Sequence, residues 1–296
     1  MDPFAPRSSA LDFWFWKFHV DDLALLVDVI IRRAPRSAEV RVSLWLGGAG
    51  RVIHAQTIDL TATPTEIVAG LTQLRAGASI GEAEDVRWDL RWQEGPLVTP
   101  LGGAMSRLEP FDTVLLVWPF ARFDGWVEIG DRRFDVRDVP GTFYHYWGRG
   151  LAPQWVWLSA SSFDGEPDRR VEAIVAIRTR LLGGPVWPVT LGYLWSTDGA
   201  GTDLTISTVN GLVRTRPIDG GIAIRSSRLG GPGHEVTATW GATRPNDIGA
   251  GIVQTMHADA TVDGHRATAG TVGLETRAWP SAAAVAAMPA NKPMAG

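Results

Sequence analysis

Cysteine is absent from the 296 residues, which excludes disulfides, thiolate nucleophiles and cysteine-ligated metals. Lysine is nearly absent: of 28 cationic side chains only Lys17 and Lys292 are lysines, and the arginines stand singly rather than in patches. With a formal net charge of −4 the chain has no basic surface to offer, so nucleic acid is not an expected partner. Long apolar runs are missing too. No stretch approaches the roughly 18 uncharged residues of a membrane-spanning helix, and Leu23–Ile31 is short and carries Asp28. Asp12, Lys17, Asp21 and Asp22 interrupt the apolar core that a signal peptide would need. A soluble, cytoplasmic protein without stable membrane insertion is the expectation. His54 and His257 fall in strand-like runs and His234 and His265 in turns, with no pair at metal-ligand spacing. There is no Gly-x-Ser-x-Gly elbow. Gly48-Ala49-Gly50 and the glycines of 230–233 lack the strand-to-helix setting of a phosphate cradle. Neither a metal nor a cofactor is expected.

What the chain does have is tryptophan, 14 of them, in an otherwise ordinary globular composition of 45% apolar and 20% charged residues. A tryptophan buries a large ring whose N–H wants a partner, so clusters of them are informative. The block Asp12-Phe13-Trp14-Phe15-Trp16 is echoed by Gln154-Trp155-Val156-Trp157, with Trp155 standing 141 residues after Trp14. Val86–Trp92 and Glu235–Trp240 are a second pair of Trp-bearing alternating runs. Hairpin-like stretches starting at Gly125 and Ala260 then close each half, at Trp147 and Trp279. A repeat this long reads as two related domains, since solenoid periods are about 20–50 residues. The expected division is 1–150 and 151–280, joined by Gly148–Pro153, with 281–296 as a frayed Ala/Pro-rich tail.

Alternation of period 2 dominates both halves, cut by Gly47-Gly48, Asp124-Gly125, Asp198-Gly199, Asp219-Gly220 and Asp263-Gly264. So many short strands, with 33 glycines and 19 prolines to turn them, predict an all-β protein of antiparallel barrels or sandwiches. One short helix is predicted. Thr63-Pro64-Thr65-Glu66 has the form of a capping box, and Ile67, Leu71 and Leu74 follow at helical spacing before Gly77.

The junction carries a resemblance. Tyr144-His145-Tyr146-Trp147-Gly148, a short Pro-containing link and then Trp155-Val156-Trp157-Leu158-Ser159-Ala160-Ser161 resemble the junction motif of one superfamily. It includes tocopherol cyclases, carotenoid 1,2-hydratases and decalin-forming Diels–Alderases. The resemblance implies two tandem lipocalin-like β domains holding a hydrophobic small molecule, and cofactor-free cyclisation, hydration or isomerisation. It covers about 25 residues, and Ser159 and Ser161 stand where tocopherol cyclases carry amides. The acid that the hydratases use has no evident counterpart.

Strand alternation places His145 on one face with Phe143 and Trp147, Tyr144 and Tyr146 on the other, and Trp155, Trp157, Ser159 and Ser161 together. The catalytic candidates are His145 and Tyr146, with Asp12 and Glu94 as supplementary acids beside the Trp clusters. The substrate-binding candidates are Trp14, Trp16, Trp147, Trp155, Trp157, Ser159, Tyr193 and Trp195. Indole faces stabilise a carbocation by about 0.5–2 kcal/mol each, and orienting a flexible polyene can lower a barrier by about 7–11 kcal/mol. The expected function is therefore a cofactor-independent cyclase or isomerase acting on a polyene, polyketide or terpenoid intermediate of natural-product biosynthesis. The alternatives are a non-catalytic carrier of a lipid or pigment and a carotenoid-type hydratase.

Overall fold

The structure, a computed structural model, describes residues 3–100, 113–166, 168–181, 184–197, 206–209, 213–228, 231–241 and 245–278. The predicted tail 281–296 and Trp279 lie outside them. The chain separates into two compact units that part at Leu151 and Ala152, and residues Trp45–Arg51 group with the second.

The first unit holds eleven strands: β1 (Leu11–Val20), β2 (Leu23–Arg33), β3 (Arg36–Leu46), β4 (Ala49–Thr57), β5 (Leu60–Ala62), β6 (Glu66–Ala69), β7 (Thr72–Arg75), β8 (Ala78–Ala83), β9 (Val86–Gln93), β10 (Thr113–Ile129) and β11 (Arg132–Gly148). They form one antiparallel sheet in the order β4-β3-β2-β1-β11-β10-β9-β8-β7-β6-β5, a meander whose first strand pairs with its last. The sheet curls on itself. β11 and β10 lie between β1 and β9, about 14 Å of strand spacings if flat, yet the rings of Trp16 and Trp92 stack with centroids 5.7 Å apart. Trp14, Trp16 and Phe18 of β1, Trp88 and Trp92 of β9, and Phe123 and Phe143 fill the inside.

β10 and β11 are 17 residues each. Their pairing shifts register between Trp118 and Ala121 and between Phe123 and Gly125, because a bulge bends a strand without ending it.

The predicted helix is not there: residues 66–75 are the hairpin β6–β7, and no helix occurs among the described residues. Thr63 and Glu66 do bond each other, through Glu66 N–H to Thr63 Oγ1 at 3.0 Å, but they close a turn rather than cap a helix. Ile67 and Leu74 face each other across the hairpin and are buried, while Leu71 projects from its tip, 73% exposed. Gly70, at φ +58°, supplies the left-handed residue the two-residue turn requires. The helical spacing of three leucine-type residues was matched equally well by period 2 with a turn in the middle.

The second unit is a two-layer sandwich. Its strands are β12 (Gln154–Ala160), β13 (Arg170–Leu181), β14 (Gly184–Thr197), β15 (Ile206–Val209), β16 (Val213–Ile218), β17 (Gly221–Arg228), β18 (Gly231–Thr239), β19 (Asn246–Asp247), β20 (Ile252–Thr255), β21 (Asp259–Val262), β22 (His265–Arg266) and β23 (Val272–Arg277). One sheet runs β15-β14-β13-β12-β23-β20-β19 and the other β16-β17-β18-β21-β22. Val156, Leu158 and Val175 from the first and Ile222, Ile224 and Val236 from the second make the core between them, with Trp240. As in the first unit, the earliest strand pairs with the last, β12 with β23.

Two substitutions test this account. Gly125 sits at φ +130°, where a Cβ would collide with the Asp89 carbonyl of β9. Gly125→Ala should cost more than about 2 kcal/mol in urea unfolding, since strained backbone and clash add. Leu71→Lys should change stability by less than about 0.5 kcal/mol; a helix at this position would have made it a core substitution.

Candidate functional site

Buried polar groups occur among the tryptophans in both units, and each group has to be accounted for, because an unpaired one costs about 1–3 kcal/mol. In the first unit β1 and β11 set Trp14 opposite His145 and Asp12 opposite Trp147. The imidazole of His145 stacks on Trp14 at 4.4 Å and tilts against Trp147 at 4.8 Å. Its Nε2 lies 2.7 Å from Asp12 Oδ1 and its Nδ1 2.6 Å from the Pro3 carbonyl, and neither side chain is exposed at all. A carbonyl oxygen only accepts, so Nδ1 carries a proton. Two facing lone pairs at 2.7 Å would repel, so a second proton lies between Nε2 and the carboxyl group. Asp12 Oδ2 accepts the Arg7 amide at 2.5 Å. All four hydrogen-bonding atoms of the pair are thus engaged, two of them by the segment Pro3–Arg7.

In the second unit the sheet face turned away from the sandwich core is also buried, and it is polar. Cross-strand register sets Trp195, Glu172, Ser159 and Gly273 in one row, on β14, β13, β12 and β23. The next row holds Tyr193, Ile174, Trp157, Glu275 and Gln254. Ser159 Oγ donates to Glu172, whose carboxyl group is only 1% exposed. Glu275 accepts from Trp155 Nε1 at 2.9 Å and from Gln254 Nε2 at 2.7 Å. Arg277 lies over the Trp155 ring at 5.4 Å. Gly273 makes room for an indole: a Cβ there would stand 2.7 Å from the Trp157 ring. The face therefore combines two carboxyl groups, a hydroxyl and three indoles, with Tyr193, in a small patch of one sheet.

Of the sequence candidates, Asp12, Trp14, His145 and Trp147 come together at one end of the first unit's interior, with Trp16 further along the same strand face. Tyr146 lies on the opposite face, stacked on Phe13 at 4.8 Å with its hydroxyl donating to the Gly150 carbonyl at 2.6 Å. Glu94, one residue past β9, is exposed. Trp155, Trp157, Ser159, Tyr193 and Trp195 share the outer face of the second unit's sheet. Sequence reasoning missed Glu172 and Glu275. Each is a lone acid inside an apolar alternating run, Val171–Ala176 and Val272–Thr276, and that isolation is the signal that could have found them. It also missed Phe4 and Arg7, which no local pattern ties to His145.

Residues 101–191 match the model of a family described as tocopherol cyclase-like, a span that includes the junction motif. The fold is similar to that of a protein from Nitrosomonas europaea described as an AttH, at TM-score 0.68 and 14% identity, over 93% of this chain and 94% of that one. It is also similar to kievitone hydratase from Nectria haematococca, at TM-score 0.62 and 10% identity, over 93% and 91%. The protein is thus all-β and lipocalin-like in class, and the resemblance read at its junction is that of the tocopherol cyclase-like family.

Asp12→Asn should destabilise the protein by about 3–5 kcal/mol, the cost of breaking a buried pair from one side, read by chemical denaturation. His257 provides a pH test. Burial holds its imidazole below the ordinary 6.5, so the folded state disfavours the proton that the unfolded chain takes up. Its contribution to stability is complete above 6.5 and is lost as pH falls through that value toward the lower folded one. His257→Gln should flatten that part of the stability–pH curve.

Proposed function

We propose that this protein is a cofactor-independent enzyme that cyclises, isomerises or hydrates a hydrophobic polyene, polyketide or terpenoid intermediate, with Glu172 as the proton donor. The observation that carries the reading is the pair of carboxyl groups on one sheet face, Glu172 buried and Glu275 partly buried, beside Trp155, Trp157 and Trp195. A lipid or pigment carrier needs an apolar lining; a buried acid such as Glu172 is a cost there without a use unless protons move. The tocopherol cyclase-like match and the hydratase neighbour support the same class of chemistry.

The step balances without a co-reactant other than water. Glu172 gives its proton to one carbon of an alkene, whose π electron pair becomes the new C–H bond and leaves a cation on the other carbon. The indole faces stabilise that cation by about 0.5–2 kcal/mol each. A second alkene then closes a ring and loses a proton to the Glu275 carboxylate, giving an isomer. Capture by water, with the same proton loss, gives the hydrate. Proton exchange with solvent resets both acids. The acid is placed at Glu172 rather than His145 because both ring nitrogens of His145 are already engaged, by Asp12 and by the Pro3 carbonyl.

The test is incubation in D₂O with a prenylated hydroquinone and with a linear carotenoid, followed by mass spectrometry. Cyclisation should appear as an isomer carrying one solvent deuteron, and hydration as an added heavy water. Glu172→Gln should lower turnover by about 10²-fold or more while leaving ligand binding within a few-fold. A ligand retained unchanged by the native protein would instead establish the carrier.

A further inference from the structure

The segment Pro3–Arg7 occupies the end of the first unit in the manner of a bound ligand. Phe4 is 2% exposed, with its ring 6.0 Å from that of Trp14. The Pro3 carbonyl accepts from His145 Nδ1 at 2.6 Å and the Phe4 carbonyl from Trp14 Nε1 at 3.1 Å. The Arg7 amide donates to Asp12 Oδ2 at 2.5 Å, and its guanidinium lies over Trp147 at 4.9 Å. Arg33 holds the Arg7 carbonyl from outside.

Every wall group belongs to β1 or β11, two long strands locked in register, whereas the occupant is a stretch without regular structure. Stripped of that segment, the wall presents two N–H donors, one carboxylate oxygen and two indole faces. The donors are His145 Nδ1 and Trp14 Nε1, on adjacent strands and directly opposite in register. We infer that this end of the first unit is a binding site in its own right, for an aromatic ring bearing two carbonyl acceptors. An N-acylated aromatic amino acid has that chemistry: its acyl and carboxyl carbonyls reproduce those of Pro3 and Phe4. The protein's own strap fills the site, and a ligand enters by displacing it, so the strap sets the threshold concentration for binding.

The probe is N-acetylphenylalaninamide, with N-acetylalaninamide as the control. In full-length Phe4→Ala the ring slot is emptied while the wall remains. The aromatic probe should bind this variant at least tenfold more tightly than the native chain, by calorimetry, and raise its melting temperature, whereas the control should do neither. Adding Trp14→Phe, which deletes only the N–H donor and part of the ring, should weaken the probe about tenfold. Should Phe4→Ala fail to fold, hydrogen exchange of the native chain supplies the readout: saturating probe should raise exchange of the Arg7 amide, and the control should not. Equal binding to native and variant chains, indifference to Trp14→Phe, or an Arg7 amide unaffected by saturating probe would each overturn the inference.

Discussion

In each unit the first strand pairs with the last, β1 with β11 and β12 with β23, and the rest of the architecture depends on this closure. It joins residues 133 positions apart, Asp12 and His145, and 120 apart, Trp155 and Glu275. Pairing of this range is slow to find and costly in chain entropy. Once made, it removes two sheet edges and fixes which side chains share a face, because a slip of one residue would turn every side chain over. Trp14 meets His145, and Trp157 meets Glu275, only in this register.

The price of the arrangement is polar groups without water. Asp28 shows it outside either cluster: burial pushes its carboxyl group up, against the pull of Arg41, which bonds it at 2.6 Å. Glu39 behaves oppositely, since His54 and Arg32 together hold it below the usual carboxylate range despite partial burial. The two clusters differ in their partners. Every hydrogen-bonding atom of Asp12 and His145 is matched within the first unit, which makes the pair a rigid anchor for a segment or a ligand. Glu172 and Glu275 sit among indoles that a cation would favour, which suits them to handling protons. One sheet face thus holds a closed polar pair and the other the two acids on which the proposed chemistry rests, although both are built around tryptophan.

Strand content, the turns and the face of each residue were legible in the chain, because period 2 is a local property. The resemblance carried by Tyr144–Gly148 and by the run from Trp155 was legible for the same reason, each run being contiguous. The hairpin Glu66–Arg75 was not: three aliphatic residues and a Thr-x-x-Glu fit helix and hairpin alike, and the choice falls to the sheet that receives Ile67 and Leu74. Glu172 and Glu275 stand as lone acids in apolar runs, but only the register places them beside indoles. Alternation already set Tyr146 on the face opposite His145, but only the structure shows its hydroxyl spent on the Gly150 carbonyl.

Composition alone ruled out disulfides and thiol chemistry, since those follow from which atoms exist. Alternation alone set the secondary structure class and assigned His145, Trp147, Trp157 and Ser159 to their faces. Which residues meet across strands, that Asp12 rather than a nearer acid partners His145, and that Phe4 covers them, were decided by the tertiary structure. The reason is physical: a strand's own sequence encodes its two faces, but its neighbours are chosen by closure of the whole sheet, a term that no local window contains.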